Sequence, residues 1–316
     1  MNKKLKAFFT GLVFLLPALI ILLTFRIIPI LLSVRISLYD WGMAGARKFL
    51  GLANYIQVLK DPVFWQSLLN TFWYAVFTVP TMLFLSLFIA ILLNQKIRGL
   101  GIYRTIYYLP VVTSIVAVSI VWKWLFNPER GLLNYLLSLL HISPIRWLED
   151  PRGLFTLIFN PLGINLPRIL HGPSVALCSL IIMSIWKGLG YNIVIFLAGL
   201  QNIPNTYYEA AKIDGAGRFR LFKDVTWPLL TPTTFYILIM STITAFEAFA
   251  QVWIMTGPPA GGPLGTTKVV MYYFYEQSFE LWRMGYGAAI AFIAFLIILA
   301  LTIFQRQFLE KRVHYA

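Results

Sequence analysis

The chain has 316 residues, of which 59% are hydrophobic and only 12% are charged, and its mean hydropathy is +0.74. Soluble globular domains carry about 25% charged residues, so this composition excludes an ordinary water-soluble domain and indicates a protein embedded in lipid. The net charge of +14 does not indicate a nucleic-acid partner, because the basic residues lie between long apolar runs, as they do in loops that flank membrane spans.

Six apolar stretches are long enough to cross a bilayer as helices, which takes roughly 20 residues each. In chain order the predicted spans are residues 7–32, 64–93, 104–125, 174–197, 228–254 and 284–304. The first follows a basic start, as a signal peptide would, but its apolar stretch is too long and no small-x-small cleavage site follows. We therefore predict an all-α membrane protein in which residues 1–316 form one transmembrane domain.

The basic residues also predict the orientation of the spans. With both termini in the cytoplasm, the inner segments hold 13 basic residues in about 60 residues, and the outer segments hold about 11 in about 115 residues. This twofold difference in density predicts that both termini are cytoplasmic.

The longest outer segment is 124–173. It contains an apolar run, Leu132–Leu140, which is too short to span and is predicted to form a small helix at the outer face. Its later half, residues 151–173, is rich in Pro and Gly and is predicted to be an irregular cap. A second outer stretch, Gly257–Gly265, is either a gate, a docking surface or a simple turn.

The inner loop 203–228 carries the most informative pattern. Pro204 can begin a helix and Gly215 can end one, so the sequence predicts a helix of about ten residues between them. A second short helix, Phe219–Val225, is predicted before Pro228 opens the fifth span. A helix this short is marginal by itself in water. Its small and aromatic residues favour docking in the groove of a partner.

Within this loop, Glu209-Ala210-Ala211 is followed by Gly215 and then by Val225 and Trp227-Pro228. This pattern resembles the EAA loop of the membrane subunits of binding-protein-dependent ABC importers, with Val225 and Trp227 in place of the usual Ile and Leu. The form with Asp214, Gly215 and Ala216 resembles the carbohydrate-uptake branch, the maltose-permease-like and glycerol-phosphate-permease-like proteins.

The resemblance implies an ABC importer permease fold in the inner membrane of a bacterial-type cell. It also implies partners: a second related permease subunit, two copies of a cytoplasmic ABC ATPase that holds ATP and Mg, and an extracytoplasmic solute-binding protein. No cofactor is expected in this chain, which has no Gly-x-x-x-x-Gly-Lys-Ser/Thr loop. The residues expected to couple to the ATPase are Tyr208, Glu209, Ala210, Ala211, Asp214 and Gly215.

Polar residues inside spans are costly and often functional. Glu247 and Gln251 are four residues apart in the predicted fifth span, a spacing that places both on one face of a continuous helix. Together with Asn192 and Lys187 in the fourth span, they are candidates for the solute path. Each could instead pair with a neighbouring helix.

The sequence therefore predicts a permease subunit that forms half of the path for a sugar, polyol or glycoside. The alternative within transport is a permease for phosphate, an amino acid or a peptide. The alternative of another class is an intramembrane enzyme. It is disfavoured because the chain has no paired carboxylates, Ser/Lys or Ser/His pair, or His-Glu-x-x-His helix.

Overall fold

The computed structural model describes residues 3–95, 99–257 and 261–309. They fall into two compact units: one runs through Asp61 and includes Phe274–Phe295, and the other comprises Pro62–Tyr273 and the residues from Leu296 onward. Four of the basic residues used to predict orientation lie outside the described part of the chain: Lys96, Arg98, Lys311 and Arg312.

The first unit holds the first predicted span and a small hairpin. Its elements up to Asp61 are α1 (Lys3–Leu22), a π-helical turn (Leu23–Ile27), α2 (Ile28–Ser37), β1 (Tyr39–Gly42), β2 (Gly45–Phe49) and α3 (Ala53–Lys60). The two strands pair antiparallel, with Tyr39 opposite Phe49. Gly45 has a φ of +97°, which suits the tight turn between the strands. The all-α prediction did not include this hairpin.

The remaining elements are mostly helical. They are α4 (Pro62–Leu93), α5 (Leu100–Val112), α6 (Ile115–Leu125), α7 (Leu132–Leu139), α8 (Leu154–Phe159), α9 (Val175–Gln201), α10 (Asn205–Ile213), α11 (Arg218–Leu221), α12 (Trp227–Phe246), α13 (Ala250–Met255), α14 (Val270–Tyr275) and α15 (Met284–Leu309). π-helical turns cover Phe222–Thr226 and Glu276–Glu280, and 3-10 turns cover Asn160–Leu162, Arg168–Leu170 and Pro263–Gly265.

Five helical segments of the described chain are long and apolar enough to cross a membrane: Thr10–Ser37, Pro62–Leu93, Val175–Gln201, Arg218–Phe246 and Met284–Phe308. A sixth span results if the bent pair α5 and α6 is counted as one. The prediction of an all-α membrane fold with six spans is confirmed on that count.

The third predicted span, 104–125, is not one straight helix. It bends by 99° between Val112 and Ile115. Pro110 lies in the last turn of α5, where it lacks a backbone N–H and so removes one hydrogen bond from the turn before the bend. Thr113 then adopts extended backbone, and the Ser114 hydroxyl accepts a hydrogen bond from Val116 N to begin α6. The sequence placed the apolar length correctly but did not reveal the bend.

The fifth predicted span, 228–254, is also interrupted. α12 ends at Phe246 and α13 begins at Ala250. Phe249 between them has φ −143° and ψ −63°, outside the helical region. Glu247 and Gln251 therefore do not share one continuous helix, and the premise of their four-residue spacing was wrong.

The core of the second unit lies where α4, α9, α12 and α13 meet. Its fully buried side chains include Leu177, Leu180 and Met183 of α9 and Val252 of α13. By contrast, the outward residues of the spans are themselves large and apolar, as expected of surfaces that face lipid. The fold thus buries small and apolar side chains between the helices, and it also leaves large apolar side chains on the outer surface of the spans.

The segment 124–173, which was predicted to lie outside the membrane, is more ordered than predicted. The short helix expected at Leu132–Leu140 is confirmed as α7, but the half predicted to be irregular contains α8. Asn134 is buried, and both the nitrogen and the oxygen of its side-chain amide form hydrogen bonds. It donates to the carbonyls of Pro128 and Ile145, and its oxygen accepts from Ile145 N and Trp147 Nε1. One asparagine thereby ties together the first half of this segment, between Pro128 and Trp147.

The stretch Gly257–Gly265 is attached to the first third of α4. Pro258–Ala260, in the middle of Gly257–Gly265, lie outside the described residues. Beyond them, the Asn70 amide donates to the carbonyls of Gly265 and Lys268, at 2.9 Å each. These bonds hold the described part of the stretch against α4.

Candidate coupling helix and solute cavity

The helix predicted between Pro204 and Gly215 is present as α10, and its ends form for local reasons. Pro204 is the N-cap residue, with extended backbone. At the other end, Gly215 has a φ of +77°, its N–H bonds the Lys212 carbonyl, and the Ala216 N–H bonds the Ala211 carbonyl. This pair of bonds is the Schellman motif that glycine permits. The prediction from residue types is confirmed.

One face of α10 rests on its own chain. The Tyr208 hydroxyl shares a 3.1 Å hydrogen bond with Thr226 Oγ1, and Ala211, one turn further on, is half-buried. Thr226 is buried and directly precedes α12. The second predicted helix, Phe219–Val225, forms as α11 and the π-helical turn, so the loop leads into the fifth span without a break.

The opposite face of α10 is exposed. Glu209, Ala210, Asp214 and Gly215 are all exposed, and Ile213 has 86% of its surface accessible. Neither carboxylate forms an ion pair or a side-chain hydrogen bond within the described part of the chain. An apolar side chain and an unpaired carboxylate on one small surface are features expected of an interaction site.

The four polar residues predicted from the spans lie around one cavity of about 530 Å³ in the second unit. α4, α9, α12 and α13 line it, together with residues on both sides of the bend between α5 and α6. The lining includes Lys187, Asn192, Glu247 and Gln251. The structure therefore brings these four together, although their role in the solute path stays a prediction.

Lys187 bridges from α9 to the bend. Its ammonium nitrogen donates to the carbonyl oxygens of Pro110, at 3.0 Å, and Thr113, at 2.9 Å. A broken helix leaves carbonyls without partners in its last turn, and lipid cannot satisfy them. Lys187 donates to two carbonyl oxygens at this break, and the Thr113 hydroxyl also donates to that of Pro110, at 2.7 Å. These bonds stabilise the bend at the edge of the cavity.

The other three candidates differ in their partners. Asn192 is buried and its amide donates to Ser241 Oγ at 3.4 Å, whereas the Gln251 amide donates to the Tyr74 hydroxyl at 3.1 Å. Glu247 is exposed, and its carboxylate has no hydrogen bond or ion pair to any part of the chain that the structure describes.

The sequence analysis missed several polar residues of the same cavity. Tyr74 and Thr78 of α4 contribute hydroxyl groups, as do Ser241 and Thr244 of α12. Thr78 Oγ1 is buried and has no hydrogen-bond partner among the described residues. Hydroxyl residues are common between membrane helices, so their presence in a span gave no specific signal. Only the tertiary structure assigns them to the cavity.

The chain resembles known transport proteins over nearly all of its length. Residues 49–315 match the family described as binding-protein-dependent transport system inner membrane component. The probable ABC transporter permease protein YesP of Bacillus subtilis is 36% identical over 96% of this chain and 92% of its own. The lactose transport system permease protein LacF of Rhizobium radiobacter is 35% identical over 93% of this chain and 92% of its own.

A solved structure shares the fold. It is a chain in the crystal structure of a bacterial alginate ABC transporter in complex with alginate pentasaccharide-bound periplasmic protein. It superposes with a TM-score of 0.78 over 96% of this chain and 95% of its own, at 21% identity. The protein therefore belongs to the family of binding-protein-dependent transport system inner membrane components, the permease subunits of ABC transporters.

Proposed function

We propose that this chain forms half of the path of an importer for a sugar, polyol or glycoside, and that α10 couples it to a separate ATPase. The observation that carries the proposal is the placement of Lys187, Asn192, Glu247 and Gln251 around one cavity. The relative named for lactose supports a carbohydrate as solute.

The lining of the cavity suits a polyhydroxylated solute. Amide and hydroxyl groups can each donate and accept hydrogen bonds, and they alternate here with apolar side chains such as Met82 and Met240. A volume of about 530 Å³ is within the range of small-molecule sites.

The proposed coupling is mechanical. α10 contacts Thr226 through Tyr208, and α12 begins at the next residue. Further along the chain, α12 also lines the cavity with Ser241 and Thr244. A partner that displaces the exposed face of α10 would therefore shift a helix that borders the solute path.

The full importer would contain a second related permease subunit, two cytoplasmic ABC ATPase chains that bind ATP and Mg, and an extracytoplasmic solute-binding protein. In this arrangement Glu209, Ala210, Asp214 and Gly215 on the exposed face would form the contact with the ATPase, and Tyr208 and Ala211 on the opposite face would hold α10 against its own chain. α10 and both chain termini would lie in the cytoplasm, as the density of basic residues predicts.

The test is a charge reversal on the exposed face of α10. Glu209→Lys is expected to leave the protein inserted but to reduce co-purification of the ATPase and uptake of lactose and maltose into proteoliposomes by at least about tenfold, the effect of losing a contact of about 1.4 kcal/mol. Glu129→Lys, a reversal on the exposed outer segment, is the matched control. Normal ATPase association and uptake in Glu209→Lys would contradict the proposed coupling.

A further inference from the structure

The cavity contains only two charged side chains among its described lining residues, Lys187 and Glu247. Although the charges are opposite, no ion pair joins the two. Their surroundings therefore decide which charge a solute meets, and these surroundings differ.

The positive charge is partly compensated. The Lys187 ammonium donates to the Pro110 and Thr113 carbonyls at the C-terminal end of α5. This end of a helix carries a partial negative charge. Two of the three N–H donors of the ammonium are thus occupied by the protein.

The negative charge is not compensated. Glu247 follows the last residue of α12, so its carboxylate adds to the partial negative charge at that helix end. Its side chain is exposed and has no partner within the described residues. A solute in the cavity therefore meets a free carboxylate, which accepts hydrogen bonds and cannot donate them.

The remaining polar lining groups are neutral. Asn192 and Gln251 contribute amides, and Tyr74, Thr78 and Ser241 contribute hydroxyls. The Thr78 hydroxyl is buried and lacks a partner among the described residues. Such groups bind the hydroxyls of an uncharged sugar, but they offer no full positive charge to an acidic group.

We infer that the cavity selects neutral polyhydroxylated solutes over acidic ones, with Glu247 as the specificity-determining residue. The inference rests on the proposed function and narrows its solute class. The Glu247 carboxylate accepts hydrogen bonds from solute hydroxyls and repels a carboxylate or phosphate group. Discrimination then arises from a repulsive group as well as from attractive contacts.

The experiment compares methyl glucoside with methyl glucuronide, which differ by a hydroxymethyl group and a carboxylate on one ring. Binding to the full chain, assembled with its partner subunits in lipid nanodiscs without the binding protein, is measured by saturation-transfer NMR. The wild type is expected to prefer the glucoside by about tenfold, because repulsion between nearby charges at a protein surface reaches at least that size.

Three variants test whether Glu247 causes the preference for the glucoside. Glu247→Gln is expected to bring the two affinities within about threefold of each other by strengthening glucuronide binding. Glu247→Asp keeps the charge and is expected to keep the preference, and Glu129→Gln on the outer segment is the control for the substitution itself. Monodisperse complexes of each variant establish that it folds.

Two results would overturn the inference while the proposed function stands: equal or tighter binding of glucuronide by the wild type, or an unchanged preference in Glu247→Gln. If neither sugar nor lactose binds the wild-type complex, the proposed carbohydrate path fails, and the inference fails with it.

Discussion

The loop 203–228 depends on contacts between residues near in sequence, whereas the cavity depends on contacts between distant helices. In the loop, the Pro204 cap, the exposed face and the Gly215 turn lie within 12 residues of each other. In the cavity, the hydrogen bond from Gln251 to Tyr74 joins residues that are 177 positions apart, and the bonds of Lys187 reach across more than 70.

This difference separates two kinds of functional surface. A motif whose geometry depends on neighbouring residues keeps its form wherever the chain places it. A cavity formed by several helices depends on how closely those helices approach each other. Substitutions in the loop should therefore act locally, whereas substitutions between helices should alter the whole cavity.

The largest effect is expected at Gly190, between α9 and α5. A Cβ added there would overlap the carbonyl oxygen of Tyr107, which is backbone and cannot rotate away. Gly190→Ala should destabilise the protein by about 2–3 kcal/mol, as overpacking does, and should weaken binding in the cavity. Gly101→Ala in α5, where a Cβ meets nothing within 4 Å, is the control. Unfolding midpoints in detergent measure both. Equal stability of the two variants would contradict the close approach of Gly190 to the Tyr107 carbonyl.

A smaller effect is expected at the end of α10. Gly215 has a φ of +77° with open space around it, so Gly215→Ala meets no steric contact but adopts a strained backbone, at about 1–2 kcal/mol. Amide hydrogen exchange in α10 should accelerate and coupled ATP hydrolysis should fall, while sugar binding in the cavity stays unchanged. The control is Gly217→Ala, where φ is −73° and a Cβ also has open space. Altered cavity binding in Gly215→Ala would show that the loop is not a local unit.

The smallest effect concerns the bond between α10 and the fifth span. Tyr208→Phe removes the hydrogen bond to Thr226 and nothing else, a change of about 1 kcal/mol or less. Hydrogen exchange in α10 should rise by less than in Gly215→Ala. Tyr207→Phe, on an exposed neighbouring ring, should have no effect. Matching results for the two tyrosines would mean that this bond does not hold the helix.

The sequence predicted the position of each span because apolar length is a local property. It did not predict the bend of the third span, although Pro110 lies near it, because a proline can kink a helix without breaking it. The bend is stabilised by hydrogen bonds from Lys187, which lies on α9, far along the chain. The interruption at Glu247–Phe249 was missed for a different reason, since no Pro or Gly marks it.

The candidate residues Lys187, Asn192, Glu247 and Gln251 were chosen because polar groups are rare in lipid. That choice brought out four of the cavity's lining residues, even though the assumed helical spacing of Glu247 and Gln251 was wrong. The rule worked because the cost of burying a polar group does not depend on which helix carries it. It failed for the hydroxyl residues, whose side chains bond readily to their own backbone, as Thr244 does to Met240.

The amino-acid sequence by itself determined the membrane class, the spans and the short helix between Pro204 and Gly215. Each of these depends on interactions between residues near in sequence or between side chains and solvent. Only the tertiary structure decided that Lys187 bonds two carbonyls at the bend while the Glu247 carboxylate has no partner among the described residues. Electrostatic compensation depends on distances of a few ångströms between helices, and these distances are fixed by packing.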